Sequence, residues 1–554
     1  MQQTYVNGFP RRMGIILSRD TDWHPKKSQV IHSVQAERDR LPIDATEDQM
    51  YCAADMAVKE VYSYIDIHKV KEYVLIAIGV LCRRHGIPVP LGATEEERLK
   101  RALDRNWWVR SIRKEHARRF EHVAIQLGFT SYKAGIYLSN ESAARQRKRN
   151  ADNAALLAKV ELENEEGHRY TLAELSELGV SNKAIRRGEL MTRIRGFEEI
   201  AQDLKHSGMF WTITAPSKYH AILSKSGDLN PKYCGATPRQ AQAYLCKIWS
   251  RIRSALHKRG IQPYGFRIAE PHHDGCPHWH MLLFVAPEHA AMMETIIRKY
   301  ALKEDGQEQG AKENRVKLVN IDAGKGTAAG YIAKYVAKNI DGAHVGDHKT
   351  SDGWTVTTDL LGNEEITPSQ RVTYWSQLHG IRQFQQIGGA PVGVWRELRR
   401  VEFDSISRAP DSLRSAWRSV QRVGDALANF ADFWRAGKSR CGKGFDIRIA
   451  TRDIEVLGKY ATYIHGRPCG VYCASNPAAV YESRRFQWKR VDGKAGHGVA
   501  LDLPWTGVNN CSRGGDGRGV PGDGAAWVTV KYDPKNKNFS SEVDEFIKKW
   551  KARE

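Results

Sequence analysis

The spacing of apolar residues divides the chain into stretches of different character. Between residues 46 and 200 apolar side chains recur at a helical period, as at Val58, Val61 and Ile65 or at Leu156, Leu157 and Val160. Set among good helix formers, they predict a mostly helical region. Residues 1–45 before it are polar and irregular and read as a loose arm. Between 201 and 400 short apolar runs alternate with amphipathic stretches. Phe210-Trp211-Thr212-Ile213-Thr214 reads as a strand, ended by Ala215-Pro216-Ser217. Residues 238–258 and 287–303 read as helices, each opened by a proline, which suits the first helical position. Tyr264 to Glu270 and His278 to Val285 read as two strands of a hairpin, joined by the turn-rich Pro271-His272-His273-Asp274-Gly275-Cys276-Pro277. Arg315 to Ile321 alternates as a strand, and 326–340 reads as a helix after a Gly-rich turn. The order β-α-β-β-α-β, closed by one more helix, predicts an α+β chain with a ferredoxin-like core and an antiparallel sheet.

Outside that core the pattern is weaker. Residues 171–190 read as a helix, a turn at Gly179 and a second helix capped by Ser181. This is helix-turn-helix grammar, though a plain helical hairpin fits as well. The region 401–554 has no clear fold: 412–436 look helical, 506–524 are Gly-rich and loop-like, and 541–552 suggest a short Lys-rich helix.

Charge narrows the choice of partner. The 554 residues carry 85 Lys+Arg against 64 Asp+Glu, a formal +21, which favours a polyanion such as nucleic acid. Residues 99–150 hold 13 basic against 4 acidic side chains, with Trp107 and Trp108 among them. Basic residues mixed with aromatics suit phosphates and stacked bases. Arg110, Arg113, Lys114, Arg118, Arg119, Trp107 and Trp108 are therefore candidate DNA contacts; a solvated basic helix with core tryptophans is the alternative.

Several classes are disfavoured. The nine cysteines are scattered, with no CxxC pair and a single CxxH at Cys82 and His85, so neither a disulfide framework nor a zinc finger is expected. A reducing cytoplasm is the expected location. No apolar run approaches the ~20 residues of a membrane span, and the N-terminus has no secretory pattern. Gly437-Lys438-Ser439 has the ending of a phosphate-binding loop, but Asp432 stands where its first glycine belongs, so no ATP motor is expected.

The chemistry concentrates in two segments. In Pro277-His278-Trp279-His280 the two histidines of a strand share one face, while Trp279 points to the other. Glu270 lies at the end of the preceding strand and can complete a three-ligand site; His272 and His273 compete for that place. Two imidazoles and a carboxylate leave positions open for a phosphate oxygen and water, which suits Mg²⁺ or Mn²⁺ better than structural zinc. The second segment is Tyr331-Ile332-Ala333-Lys334-Tyr335-Val336-Ala337-Lys338. On a helix the apolar Ala329, Ile332, Ala333, Val336 and Ile340 take one face, and Tyr331, Lys334, Tyr335 and Lys338 are expected on the opposite one. A phenol is a weak nucleophile at neutral pH. A nearby ammonium and a metal-polarised phosphate would both assist its attack.

With these motifs the chain resembles the HUH endonucleases, and within them the replication gene A proteins of tailed bacteriophages. The matching residues are Phe210 to Ser217, Glu270-Pro271-His272 with Asp274-Gly275, Pro277 to His280, and the doubled Tyr-x-x-Lys of 331–338. Trp375, Gly380 to Gly389, Val394 to Leu398 and, in outline, Arg193 to Glu198 are also similar. The resemblance spans roughly residues 100–400. It implies an initiator of rolling-circle replication that nicks single-stranded DNA at an origin through a 5′-phosphotyrosine, with the tyrosines acting in turn. It also implies a host polymerase to extend the free 3′-OH and a separate host helicase. A conjugative relaxase or mobilisation protein would share the chemistry. A non-catalytic origin-binding protein with structural histidines would share only the charge.

Overall fold

The computed structural model describes residues 40–68, 71–223, 226–321, 327–340, 366–422, 427–438, 444–483, 486 and 488–491. It is an α+β protein with antiparallel sheets.

The N-terminal part is built from α1 (Glu47–Ile67), α2 (Lys71–Arg84), α3 (Glu95–Ala102), α4 (Arg105–Gln126) and α5 (Asn140–Lys159). Their starts are written in the sequence. Thr46 and Gln49 form a capping box at α1, and Thr94, Asp104 and Ser139 cap α3, α4 and α5, each satisfying backbone N–H groups that no earlier turn can reach. Ala54, Val61, Leu81 and Trp108 bury the face where α1, α2 and α4 meet. The last residues of the expected arm are not loose. Leu41, Ile43 and Ala45 pack on this helical core, and Arg119 donates to the Leu41 carbonyl. Residues 1–39 of that arm lie outside the described residues, as do the Gly-rich stretch 506–524 and the expected helix 541–552.

Two short strands interrupt the helices, β1 (Glu161–Asn164) and β2 (Arg169–Thr171), followed by α6 (Leu172–Glu177) and the 21-residue α7 (Lys183–Asp203). The cap of α7 is Asn182 rather than Ser181, because Asn182 Oδ1 accepts from both Ala184 and Ile185. Residues 183–188, the start of α7 and the second helix of the expected helix-turn-helix, are exposed or half-buried, and α7 enters the central core only further along, through Leu190, Ile194 and Phe197.

The middle of the chain follows the expected order: β3 (Ser207–Thr214), α8 (Pro238–His257), β4 (Tyr264–Pro271), β5 (Pro277–Val285), α9 (Pro287–Ala301), the short α10 (Ala311–Asn314), β6 (Val316–Asn320) and α11 (Ala328–Ile340). Next come α12 (Pro368–His379) and β7 (Phe384–Ile387), an edge strand the sequence pattern did not indicate. The sheet runs β6-β3-β5-β4-β7, antiparallel throughout. Every residue of β4 and β5 is buried, since helices cover both faces. Trp211, Trp279, Met281 and Leu283 face one core with Leu245 and Ile252 of α8 and Ile297 of α9. Phe210, Phe266, Leu282 and Phe284 face the other, with α7 and α11.

After β7 the chain forms α13 (Val392–Leu398), α14 (Phe403–Ile406), α15 (Asp411–Val420) and α16 (Phe430–Gly437). The expected helix 412–436 is thus two helices. Strands β8 (Ile447–Leu457), β9 (Thr462–Cys473) and β10 (Asn476–Glu482) make a second antiparallel sheet, and β11 (Trp488–Arg490) returns to pair with β1. Trp395, Phe430, Phe433 and Val471 join the α7/α11 core, so this region closes over the helices beside the central sheet.

Candidate metal centre and tyrosine helix

Strand register assembles the site. β5 lies between β3 and β4, with Thr214 and Glu270 both opposite His278, and Thr212 and Ile268 both opposite His280. Alternation then puts Thr212, Thr214, His278, His280 and Glu270 on the sheet face toward α11. Glu270 is 1% exposed and each histidine 8%. Helices on both faces of the sheet bury these ligands.

Within this cluster the ligand atoms converge. The Nε2 atoms of His278 and His280 stand 3.0 Å apart, and a Glu270 oxygen lies 3.8 Å from His280 Nε2. Thr212 Oγ1 is 3.1 Å from His280 Nδ1, which turns Nε2 of that ring toward its neighbour. Two imidazole nitrogens at this distance in a buried place need a proton or a cation between them. Adjacent ligands of an octahedral ion at about 2.1 Å are about 3.0 Å apart, so the donor set fits one divalent ion. Among the described residues this is the one group of three or more such side chains able to hold a metal.

The competing histidines separate. His273 leaves the cluster and stacks on Tyr132, ring centroids 4.6 Å apart. His272 stays behind His278, at 4.0 Å between rings. Burial and the charge of His220 push His272 down to about 3, so it is neutral. The half-buried His220 and the buried Asp274 pair at 3.1 Å. Burial opposes the charge on His220, yet Cys276 and Asp274 raise it well above the ordinary imidazole value. Asp274 in turn is held well below the usual carboxylate range: burial opposes this, and His220 outweighs it. This pair fixes the turn that joins the two ligand-bearing strands, since Asp274 also accepts from the backbone of Ala221 and Cys276.

Helix α11 carries the tyrosines to the cluster. Ala328, Ile332, Val336 and Ile340 are buried against the sheet. Tyr331 and Tyr335 are half-buried and pack on that same core, rather than opposite it as the helical wheel suggested. At 100° per residue they border the apolar stripe on one side, and this flank faces the histidines. The Tyr335 ring lies 4.2 Å from the His280 ring and 5.6 Å from Phe210. Tyr331 packs on Phe210 at 6.0 Å. The side chains of Lys334 and Lys338 lie outside the described residues.

The sequence reading missed Glu198. Its carboxylate accepts from the backbone N–H of Ala328 at 2.7 Å and of Ala329 at 3.3 Å, capping the tyrosine helix from α7. No local signal could reveal this, because 130 residues separate Glu198 from Ala328. Nearby, the buried Glu189 takes both Arg193, at 3.2 Å, and Arg396, at 2.8 Å. This joins the Arg193–Glu198 and Val394–Leu398 segments, which the sequence offered without chemistry.

The candidate DNA contacts of α4 are mostly engaged within the protein. Trp108 is fully buried and donates to the Ala102 carbonyl at 2.7 Å. Trp107 packs edge-on against it, so Trp108 has no ring face open for a base. Arg110 is 3.8 Å from Asp104. Arg113 donates to Glu47 and to the Tyr51 hydroxyl. Arg119 caps Leu41, and Arg118 reaches the Leu378 carbonyl at 3.0 Å. Lys114 is exposed.

Comparison with known proteins agrees with the motifs. Residues 92–343, which contain Glu270, His278, His280 and both tyrosines, match the family model of the bacteriophage replication gene A protein (GPA). The chain belongs to this family. It is 40% identical over 424 residues to the replication gene A protein of Escherichia phage 186, covering 74% of this chain and 59% of that protein. Over 436 residues it is 38% identical to the replication protein of Haemophilus phage HP1 (strain HP1c1), covering 74% of this chain and 52% of that one. A probable replication endonuclease from a prophage-like region of Salmonella paratyphi A is 34% identical over 57% of this chain and 38% of its own length. The chain thus spans little more than half the length of the first two relatives. No solved structure matches it. Among the described residues no helix is long and apolar enough to cross a membrane.

Proposed function

We propose that this family member is a replication initiator that nicks and rejoins DNA at a phage or prophage origin, working in the cytoplasm of the bacterial host. The observation that carries the reading is the contact between Tyr335 and His280: a nucleophile-bearing helix lies directly against a metal-ligand set. The strand order β6-β3-β5-β4 supports a ferredoxin-like HUH core. A divalent ion, Mg²⁺ or Mn²⁺, held by Glu270, His278 and His280 would supply positive charge to polarise the scissile phosphodiester.

The chain's own residues do the rest. Tyr335 loses its proton, and its oxygen attacks phosphorus. The bond to the 3′ oxygen breaks, and that oxygen leaves as a 3′-OH after taking a proton. The 5′ side stays esterified to Tyr335. One phosphodiester replaces another, so no ATP is consumed in the later rejoining. Tyr331, one turn away on the same flank, would make the second cut while Tyr335 still holds DNA. Host polymerase would extend the 3′-OH, and a host helicase would open the duplex. Incubating the protein with supercoiled DNA carrying the parent genome's origin tests this. Relaxed circles should form with Mn²⁺ or Mg²⁺ and not with EDTA; nicking that persists in EDTA would remove the metal from the account.

A further inference from the structure

A second constellation lies where helices α4, α8 and α12 meet. Arg118 of α4 donates through Nε to the Leu378 carbonyl at 3.0 Å, and Arg239 of α8 donates through Nη1 to the His379 carbonyl at 2.6 Å. Both guanidiniums therefore sit on the C-terminal turn of α12, where helix carbonyls carry only a partial negative charge. They converge closely. A Cβ placed on Gly380 would be 3.1 Å from Arg239 Nη1 and 3.3 Å from Arg118 Nη2. Gly380 is exposed and takes φ of +63°, which suits glycine and leaves the space before the two cations open.

What the cluster lacks is a full set of hydrogen-bond partners. Arg118 Nη2 is buried without a hydrogen-bond partner, and so is His379 Nε2 beside it. Buried polar atoms in native proteins are nearly always paired. Lys114, one helical turn before Arg118, is pushed down by partial desolvation and by Arg118 and Arg239. Arg118 is pushed down to about 10, by burial and then by Arg239, and the neighbouring Glu115 does not outweigh them. Two guanidiniums are thus held together beside an exposed glycine, with Lys114 one helical turn away on α4 and exposed.

We propose that Lys114, Arg118 and Arg239 form a seat for one backbone phosphate of single-stranded DNA, away from the metal centre. The ligand class rests on the reading of the protein as a DNA-nicking enzyme. Geometry ties the seat to that centre: Trp375, one turn before His379 on α12, donates its Nε1–H to the Gly275 carbonyl at 2.9 Å, in the turn between the strands of Glu270 and His278. A strand gripped at this seat is held in a fixed relation to the ligand cluster.

The test is binding of a dT oligonucleotide of about 20 nucleotides in EDTA, so that no cleavage is needed, across a series of salt concentrations. Native protein is compared with Arg239→Gln and Lys114→Gln. Lys258→Gln controls for net charge; Lys258 lies 19 residues beyond Arg239, or about 28 Å along the helix at 1.5 Å per residue. Each lost phosphate contact should lower the slope of log K against log salt by about 0.7 and weaken binding at low salt by about tenfold. Lys258→Gln should leave the slope alone. Lys114→Gln keeps the test valid if Arg239→Gln melts early for want of its helix contact. Equal slopes in all four proteins would overturn the seat. So would a native melting temperature raised by inorganic phosphate with unchanged DNA slopes, which would mean a small-anion site. Lowered slopes in a protein that never nicks DNA would leave the seat standing and remove the nicking reading; unchanged slopes in a protein that does nick would do the reverse.

Discussion

Single side chains set the orientation of the ligand cluster. His280 has two nitrogens, and Thr212 Oγ1 occupies the environment of Nδ1, which leaves Nε2 for the proposed ion. Partners of this kind usually account for about 10–100-fold in metal affinity. Thr212→Val should therefore weaken Mn²⁺ binding in that range when measured by calorimetry, and Thr212→Ser should restore most of it. Native affinity in the valine variant would mean that strand register alone orients the ring. The histidine pair itself was legible in the sequence, because a period of two on a strand needs no tertiary information. Its burial was not legible. That depends on α7 and α11 and on the C-terminal helices closing over one face of the sheet, and no local pattern encodes a cover supplied by other segments.

At the scale of the element, the tyrosine helix is held from both ends of the sequence relationship. Its apolar stripe fixes which flank meets the sheet, and Glu198 fixes where it begins. Removing a cap of this type costs about 1 kcal/mol, concentrated in the first turn, just before Tyr331. Glu198→Ala should speed hydrogen exchange at residues 328–331 and lower the rate of adduct formation, with Glu198→Gln intermediate because its amide oxygen still accepts. Unchanged exchange would show that packing of Ile332 and Val336 positions the helix without the cap. The strands and the longer helices of residues 207–340 were legible because each carries its own period and its own stop signals, such as Pro238 and Pro287; the four-residue α10 was not. β1, β2, β7 and β11 were not, for they are three or four residues long and gain their order from partners distant in sequence. The wheel of α11 also misled: it separates apolar from polar residues, and tyrosine has a ring that packs and a hydroxyl that does not.

For the whole molecule, the N- and C-terminal parts are joined directly. β11 pairs with β1, and the Tyr460 hydroxyl donates to Asp104, the cap of α4. Buried neutral histidines make this assembly sensitive to acid. Burial, as the largest cause, pushes His116 and His122 down to about 4 and His379 down to about 3. An unfolded chain binds their protons near the ordinary value of about 6.5. Below that pH the unfolded state therefore holds more protons than the folded one, and stability falls as pH drops. Their contribution is complete above about 6.5 and is lost progressively toward about 4, at about 1.4 kcal/mol per unit of displacement per histidine. Melting temperatures measured between pH 7.5 and 4.5 should decline mainly below 6.5, and His116→Gln should flatten part of that slope. A midpoint that stays constant down to pH 4.5 would contradict the assignment of these rings as neutral and buried.

The central claim is that Tyr335 and Tyr331 take the phosphate. The most direct measurement traps the covalent complex on a single-stranded origin oligonucleotide with Mn²⁺, digests the protein and maps the DNA-bearing peptide by mass spectrometry. The account predicts an adduct on the 331–338 segment, chiefly at Tyr335 in the native protein, at Tyr331 in Tyr335→Phe, and nowhere in the double phenylalanine variant. An adduct on any other residue, or one that survives in the double variant, would contradict it.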